Sequence, residues 1–279
     1  MAIVEYLGPE GTFAHEGTDL VRTVPGPVEH RACATVHEVI HDVDDGRCDY
    51  GLVPLENSIE GGVLSTIDVL VFEVDRARIR EEVVVPVAFG AHRRAEVVGA
   101  PATTILSHPF GLAQCKRYAR DRGLDARITD STAEACRIVA DSDDPGLVAV
   151  SSAKAAELFG LVTVDQHIED FPGARTRFAL VGRDGLDPTG DDKTTLVVTP
   201  PSEGVGILLK TLLPISDRGI NISEIVSRPL RQQLGEYCFL LTIDRHAAEP
   251  VVQDAVADLE GHGFTVKLLG SYPAWRERA

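Results

Sequence analysis

The sequence lacks any hydrophobic segment of the length needed to cross a membrane. A membrane-spanning helix takes roughly 20 consecutive apolar residues, and the amino-terminal apolar run at residues 2–4 is already interrupted by Glu5. No basic segment leads into an apolar stretch, so the pattern of a secretory signal peptide is missing. We therefore expect a cytoplasmic protein with no membrane partner.

Cysteine and positive charge are also scarce. The five cysteines are odd in number and include no C-x-x-C spacing, which argues against a disulfide framework and against a cysteine zinc site. The 43 acidic residues outnumber the 27 lysines and arginines, and the formal net charge is -16. Because such a surface repels phosphate backbones, we expect no nucleic-acid partner.

What the chain does contain is the pattern of an α/β protein. A length of 279 residues suits two domains at ~100–200 residues each. In residues 1–183, short apolar strands alternate with amphipathic helices, which predicts a largely parallel sheet. Two extended stretches, 81–89 and 164–171, are interpreted as crossings to a second lobe inserted at about 90–163. The predicted strands are 2–7, 50–53, 83–89, 104–106, 126–129, 147–150 and 178–181.

The pattern changes in the last third of the chain. Residues 184–193 are rich in glycine, proline and aspartate and are predicted to form a linker. In residues 194–279 the predicted elements follow the order βαββαβ, which is typical of a ferredoxin-like fold.

The most informative segment spans residues 51–62. Its apolar run is predicted to be a buried strand that stops at Pro54, and Glu56, Asn57 and Ser58 follow before two glycines. In a parallel α/β sheet these side chains would lie where a strand end faces the start of a helix, which is where ligands bind. The alternative is a polar turn that only caps the next helix.

Other polar groups follow predicted strands as well. Gly11, Thr12 and Phe13 belong to a glycine-rich turn, which either directs backbone N–H groups at an anion or only joins a strand tightly to a helix. Further candidates stand at a strand end or a helix start, namely Ser107 with Gln114, Ser131 with Thr132, and Thr176 with Arg177 and Phe178. The alternative for each is a capping or solvent-exposed role.

The sequence His37-Glu38-Val39-Ile40-His41 matches the pattern of zinc peptidases. However, Thr35 and Glu38 also have the spacing of a capping box, which gives the glutamate a structural role. No third ligand follows in the sequence, so we expect no metal site here.

Taken together, these segments resemble the prephenate dehydratase family over nearly the whole chain. The resemblance is carried by the sequences at 8–13, 54–58, 107–109, 114–115 and 176–178. It implies a two-lobed, periplasmic-binding-protein-like catalytic domain, with an active site in the cleft and no metal or organic cofactor. It also implies that prephenate loses carbon dioxide and water.

The resemblance also implies roles for the candidate residues. Thr176 would hydrogen-bond or protonate the departing hydroxyl, and Glu56, with a pKa raised by a dry cleft, is our candidate proton source. Arg177 and the turn at 8–12 would neutralise the substrate carboxylates. The remaining members of the expected site are Asn57, Ser58, Ser107, Gln114, Phe13, Ser131, Thr132 and Phe178.

The last domain resembles the ACT regulatory module. This implies feedback control by L-phenylalanine, bound between the regulatory domains of two subunits of a homodimer or homotetramer. Glu224 and Val226 depart from the family pattern, where a basic residue and a glutamate are usual. The expected effector site comprises Gly206, Ile207, Leu208, Leu209, Asn221, Ser227, Arg228 and Pro229.

Three alternatives to prephenate dehydration stay open from sequence. Arogenate, the amino-acid counterpart of prephenate, would be dehydrated by the same site. A two-lobed cleft also suits a small-molecule binding module, although the missing signal peptide argues against it. The third alternative is the zinc peptidase.

Overall fold

The computed structural model describes residues 1–231 and 235–276. Its strands are β1 (Ala2–Leu7), β2 (Val28–Cys33), β3 (Tyr50–Asn57), β4 (Gly61–Gly62), β5 (Arg78–Pro86), β6 (Gly90–Arg93), β7 (Thr104–Ser107), β8 (Asp125–Ile128), β9 (Leu147–Ser151), β10 (Val162–Asp165), β11 (Arg175–Gly182), β12 (Asp192–Thr199), β13 (Ile222–Pro229), β14 (Tyr237–Ile243) and β15 (Thr265–Pro273). Its α-helices are α1 (Phe13–Thr18), α2 (Val36–Asp45), α3 (Leu64–Phe72), α4 (Pro109–Gln114), α5 (Lys116–Arg122), α6 (Thr132–Asp141), α7 (Ala153–Leu158), α8 (Ile207–Ser216) and α9 (Pro250–Gly261).

The first lobe is built on a sheet with the strand order β2-β1-β3-β11-β5, to which β4 adds by pairing with β3. Strand β1 is parallel to β2 and β3, whereas β11 runs antiparallel to β3 and β5. The chain therefore leaves this lobe after β5 and returns to its centre as β11.

The second lobe lies between those two strands in the sequence. Its sheet has the order β10-β6-β9-β7-β8, with β7 parallel to β8 and β9. The predicted two-lobed α/β fold is confirmed by these two sheets. Among the described residues, none of the helices combines the length and apolar composition required to traverse a bilayer.

The carboxy-terminal sheet has the order β13-β14-β12-β15, and the element order βαββαβ is as predicted. Apolar residues of α8 and α9 pack on one face of this sheet. The other face shares a core with the first lobe, in which Leu240 and Tyr272 lie with Leu70 and Ile79. Strand β15 approaches β5 so closely that a Cβ at Gly270 would stand 2.0 Å from the Ile79 carbonyl oxygen, so only glycine fits there.

Strand β3 is longer than predicted. It continues through Pro54 to Asn57, so Glu56 and Asn57 belong to the strand and not to a loop after it. Proline is tolerated because β1 pairs only with the first three residues of β3, and the missing N–H leaves no ladder bond unmade on that side. Past Pro54 the pairing with β11 shifts, so that Phe178 faces Pro54 and Arg177 faces Glu56.

The expected linker is also shorter than predicted. Strand β12 begins at Asp192, inside the stretch assigned to the linker.

Candidate functional site

Thr176 and Asn57 form a polar pair at the junction of β11 and β3. The two residues are directly opposite in the antiparallel register, and Asn57 Nδ2 donates a hydrogen bond to Thr176 Oγ1 at 2.9 Å. Asn57 Oδ1 accepts from the backbone N–H groups of Ile59 at 2.9 Å and Glu60 at 3.2 Å, which fixes the orientation of the amide. Among the described residues, the Thr176 hydroxyl makes no other hydrogen bond, so its own hydrogen is available to a ligand.

Ser58 helps to hold this pair in register. The backbone N–H of Ser58 donates to the Arg175 carbonyl at 2.9 Å, and the Ser58 hydroxyl accepts from the Arg175 N–H at 3.0 Å. These two bonds extend the ladder by one residue beyond Asn57. Ser58 therefore braces the Thr176–Asn57 pair.

Glu56 and Arg177 lie on the opposite face of the same two strands, because successive side chains of a strand alternate. Arg177 donates to Glu56 at 3.2 Å and 2.9 Å and, through Nη2, to Glu224 of β13 at 2.7 Å. Its Nη1 also lies 3.6 Å from Glu82. The sequence pattern predicted a single site containing Glu56, Arg177 and Thr176. The structure instead places Glu56 and Arg177 on the face opposite Thr176.

The charge of Arg177 is satisfied within the protein. Burial opposes the positive charge, but the carboxylates of Glu224 and Glu56 outweigh that effect and raise the pKa of the guanidinium above its ordinary value. The Glu56 carboxylate is 43% exposed and paired with this cation. It does not occupy the dry cleft that a protonated carboxylic acid would require.

In the second lobe, Ser107 and Gln114 are both buried. Ser107 ends β7 and donates its hydroxyl to the Val150 carbonyl at 2.7 Å. Gln114 ends α4, and among the described residues its buried Oε1 has no hydrogen-bond partner. A buried acceptor without a donor is costly, so a ligand that donates to this oxygen would be favoured.

The turn from Gly11 to Phe13 lies against the second lobe. Gly11 has φ +87°, and a Cβ there would touch Ala133 and Ala155, so the lobes meet at its backbone. Thr12 caps α1 through its side-chain oxygen, which accepts from the His15 N–H at 3.4 Å. Phe13 stacks edge-on against Phe89, with ring centroids 5.6 Å apart. This segment therefore builds the junction between the lobes.

Three other predicted site residues lie where they cap a helix, begin a helix or pack in the core. Ser131 caps α6 by accepting from the Glu134 N–H at 3.0 Å, and Thr132 is the first residue of that helix. Phe178 is only 2% exposed and lies in the apolar core of the first lobe. Its expected role as a substrate contact does not fit this burial.

The expected effector residues are divided between two faces of the carboxy-terminal sheet. Gly206, Ile207, Leu208 and Leu209 begin α8, and Leu209 is 60% exposed. Arg228 instead turns to the first lobe and donates to Asp68 of α3 at 2.7 Å and 2.8 Å. The other expected members are Asn221, which donates to Asp244, and Ser227 and Pro229 of β13.

The sequence patterns did not predict the contacts between the carboxy-terminal domain and the first lobe. Lys267 Nζ donates to the carbonyls of Leu70, Val71 and Val74 at the end of α3. Lys193 Nζ donates to Glu82 at 2.9 Å. No motif could indicate these pairs, because their members lie more than 100 residues apart. The one signal was Glu224, an acidic residue where the family has a basic one.

A cavity of about 540 Å³ lies at the lobe junction, beside the crossing from β5 to β6. It is lined by Phe13, Glu16, Phe89, His92 and Lys154 among others, and Thr176, Asn57, Ser107 and Gln114 take no part in it. The Thr176–Asn57 pair is nonetheless the stronger candidate for chemistry, because it presents an oriented hydroxyl that is free to donate.

Comparison with known proteins identifies the relatives of this fold. Residues 4–185 match the family described as prephenate dehydratase. A prephenate dehydratase of Lactococcus lactis subsp. cremoris is 34% identical over 279 residues, which is 98% of each chain.

Two solved structures resemble the whole chain. Prephenate dehydratase from Arthrobacter aurescens in complex with L-Phe is 34% identical, with a TM-score of 0.88 over 98% of this chain and 90% of that one. A protein named GqqA, described as a novel type of quorum quenching acylase, is 28% identical, with a TM-score of 0.86 over 98% of both chains. Because both share the architecture, the fold alone does not determine the reaction.

Proposed function

The chain belongs to the prephenate dehydratase family and is an enzyme of this type, and we propose that the Thr176–Asn57 pair carries out its reaction. In that reaction prephenate loses carbon dioxide and water and becomes phenylpyruvate, a step in the synthesis of L-phenylalanine. The bond from the ring to its carboxylate breaks, and the electron pair moves through the ring. The carbon–oxygen bond of the ring hydroxyl breaks as the ring becomes aromatic, and the departing hydroxide takes up a proton from the solvent to become water.

The observation that supports this proposal most directly is the Thr176 hydroxyl, whose hydrogen has no acceptor in the part of the chain that the structure describes. Since the oxygen already accepts from Asn57 at 2.9 Å, the hydroxyl is polarised and its hydrogen points elsewhere. Aromatisation supplies the driving force, so the protein must mainly orient the substrate and help hydroxide to leave. A hydrogen bond from Thr176 to the departing oxygen stabilises the charge that develops there.

The other expected residues receive revised roles in the proposal. Gln114 supplies the acceptor for a hydroxyl or other donor of the substrate, because its buried Oε1 needs one. The backbone near Gly11 and Thr12 lies at the lobe junction, and we propose that it closes the cleft over the substrate. Ser131 and Thr132 border that junction through α6. Glu56 and Arg177 join the first lobe to the carboxy-terminal sheet and do not act on the substrate.

We further propose that L-phenylalanine regulates the enzyme through the carboxy-terminal domain. The support is the Arthrobacter aurescens relative, which was solved with L-Phe, and the βαββαβ order of an ACT module. Exposed leucines at 208, 209 and 213 of α8 offer an apolar surface for a second subunit. We therefore propose a homodimer or homotetramer with the effector bound near Gly206 and Leu209.

We base the proposed compartment on the state of the cysteine side chains. All five cysteines are free, and burial raises the pKa of the half-exposed Cys33 to about 12. Unpaired thiols of this kind are usual in a reducing environment. We accordingly propose the cytoplasm.

One assay tests the proposed reaction. The purified full chain is incubated with prephenate and, separately, with arogenate, while phenylpyruvate and phenylalanine are followed with and without added L-phenylalanine. We expect phenylpyruvate from prephenate and a lower rate when L-phenylalanine is present. No turnover of either substrate would contradict the proposal, and turnover of arogenate alone would reassign the substrate.

A further inference from the structure

A cluster of metal-ligand side chains lies outside the proposed active site, on α2 and at the end of α3. His37 and His41 are one helical turn apart on α2, and their ring centroids are 4.0 Å apart. Glu73, which directly follows the last residue of α3, places Oε2 3.0 Å from His37 Nε2 and 3.4 Å from His41 Nε2. The structure thus supplies the third ligand that the sequence alone did not reveal.

The spacing of the three atoms suits a tetrahedral ion. Two ligands bound at about 2.1 Å in a tetrahedral arrangement are about 3.4 Å apart. The three ligand atoms here all lie within 4.8 Å of one another, so small rotations of the side chains would bring them onto one ion. Since the cluster is at the surface, water can occupy the fourth position.

The local electrostatics also favour a bound cation. A carboxylate at the carboxyl end of a helix is disfavoured by the helix dipole, and Glu73 has that position on α3. A cation bound to the Glu73 carboxylate removes that penalty.

We propose that His37, His41 and Glu73 form a zinc site that braces α2 against the end of α3. The site is not catalytic, because Glu38, the glutamate of the peptidase pattern, accepts a hydrogen bond from the Ala34 N–H at 2.9 Å. The end of α3 carries the carbonyls that bind Lys267 of the carboxy-terminal domain. Zinc at Glu73 therefore stabilises the helix end on which that domain rests.

The test is a zinc titration of the full chain after removal of metal by a chelator. Calorimetry should show one zinc per chain, and the melting temperature should rise with zinc but not with magnesium, which prefers oxygen ligands. Cobalt in place of zinc should give the intense visible absorption of a tetrahedral site.

The variants His41→Gln and Glu73→Gln should each weaken zinc binding by at least about tenfold. His262→Gln is the matched control, because His262 is an exposed histidine beside Asp258 on a different helix end. Its affinity for zinc should equal that of the wild type. The proposal is overturned if the wild-type chain takes up no zinc, or if both cluster variants bind it as tightly as the control.

Discussion

The two faces of the β3–β11 pair differ in what their charges and hydroxyls are free to do. On one face, Asn57 orients Thr176 and leaves its hydrogen without an acceptor among the described residues. On the other, Arg177 is enclosed by Glu56, Glu82 and Glu224. Neighbours in one strand therefore have opposite character, since one face keeps a polar group available and the other engages its arginine in ion pairs.

This difference shows how a strand can be tied to a second domain on one face while a polar group stays available on the other. Because strand side chains alternate, Arg177 faces the carboxy-terminal sheet and the adjacent Thr176 faces the other way. The comparison leads to four predictions, taken from the largest expected effect to the smallest.

Replacing Thr176 by valine should nearly abolish turnover. Valine keeps the shape of threonine but removes the hydroxyl, and loss of a hydrogen-bond donor aimed at the developing charge lowers kcat by about 10²–10³-fold. Steady-state kinetics with prephenate measure this effect. Thr176→Ser is the control and should retain most of the activity, and equal losses in both variants would show that the hydroxyl is not what matters.

Replacing Arg177 by methionine should strongly destabilise the fold. Three carboxylates would lose their shared cation in a largely buried site, and breaking a buried ion pair costs about 3–5 kcal/mol. The free energy of unfolding from urea denaturation measures the change. The double variant Arg177→Met/Glu224→Gln should recover part of the loss, because it removes one of the unpaired charges. A single variant as stable as the wild type would contradict this role.

Replacing Asn57 by alanine should reduce kcat by about 10–100-fold, because Thr176 would lose the group that orients its hydroxyl. The free energy of unfolding should change less than in Arg177→Met, since both side chains are partly exposed. Kinetics and urea denaturation of the same preparation separate the two effects. A variant with normal kcat would show that Asn57 does not position Thr176.

Replacing Asp68 by asparagine should weaken the attachment of the carboxy-terminal domain by about 1–3 kcal/mol. Burial tends to raise the pKa of Asp68, but hydrogen bonds from Arg228 and Arg231 outweigh it and hold the pKa below its usual value. The stabilisation is therefore present above the unfolded pKa of ~3.9 and is lost as the pH falls through the lower folded value. The free energies of unfolding of the wild type and of Asp68→Asn, measured between neutral and acid pH, test this expectation. A difference between the two free energies that increases at acid pH would contradict the assignment.

Much of the fold could be predicted from local pattern. The capping box expected at Thr35 and Glu38 is present at the start of α2, and the change to βαββαβ order located the last sheet. Strands such as β2, β6 and β10 were missed, because charged and polar side chains interrupt the apolar pattern in each of them. Their pairing depends on neighbours that are distant in sequence.

The sequence indicated which residues are candidates for the site, but not on which face of the strands their side chains lie. The sequence pointed to Asn57 and Thr176, and it could not show that the strand continues through Pro54. Because of that extension, Glu56 lies on the face opposite Thr176. The residue that was predicted to be a proton donor is therefore paired with Arg177. Phe178 lies on the same face of β11 as Thr176, but its side chain is packed in the apolar core of the first lobe.

The most direct test of the contrast between the two faces is the kcat of Arg177→Met for prephenate, measured beside Thr176→Val at a temperature where both remain folded. If Arg177 serves only the junction between the domains, its variant should keep kcat within about fivefold of the wild type, because no transition-state contact is removed. Thr176→Val should be slower by orders of magnitude. A loss in Arg177→Met as large as that in Thr176→Val would contradict the account.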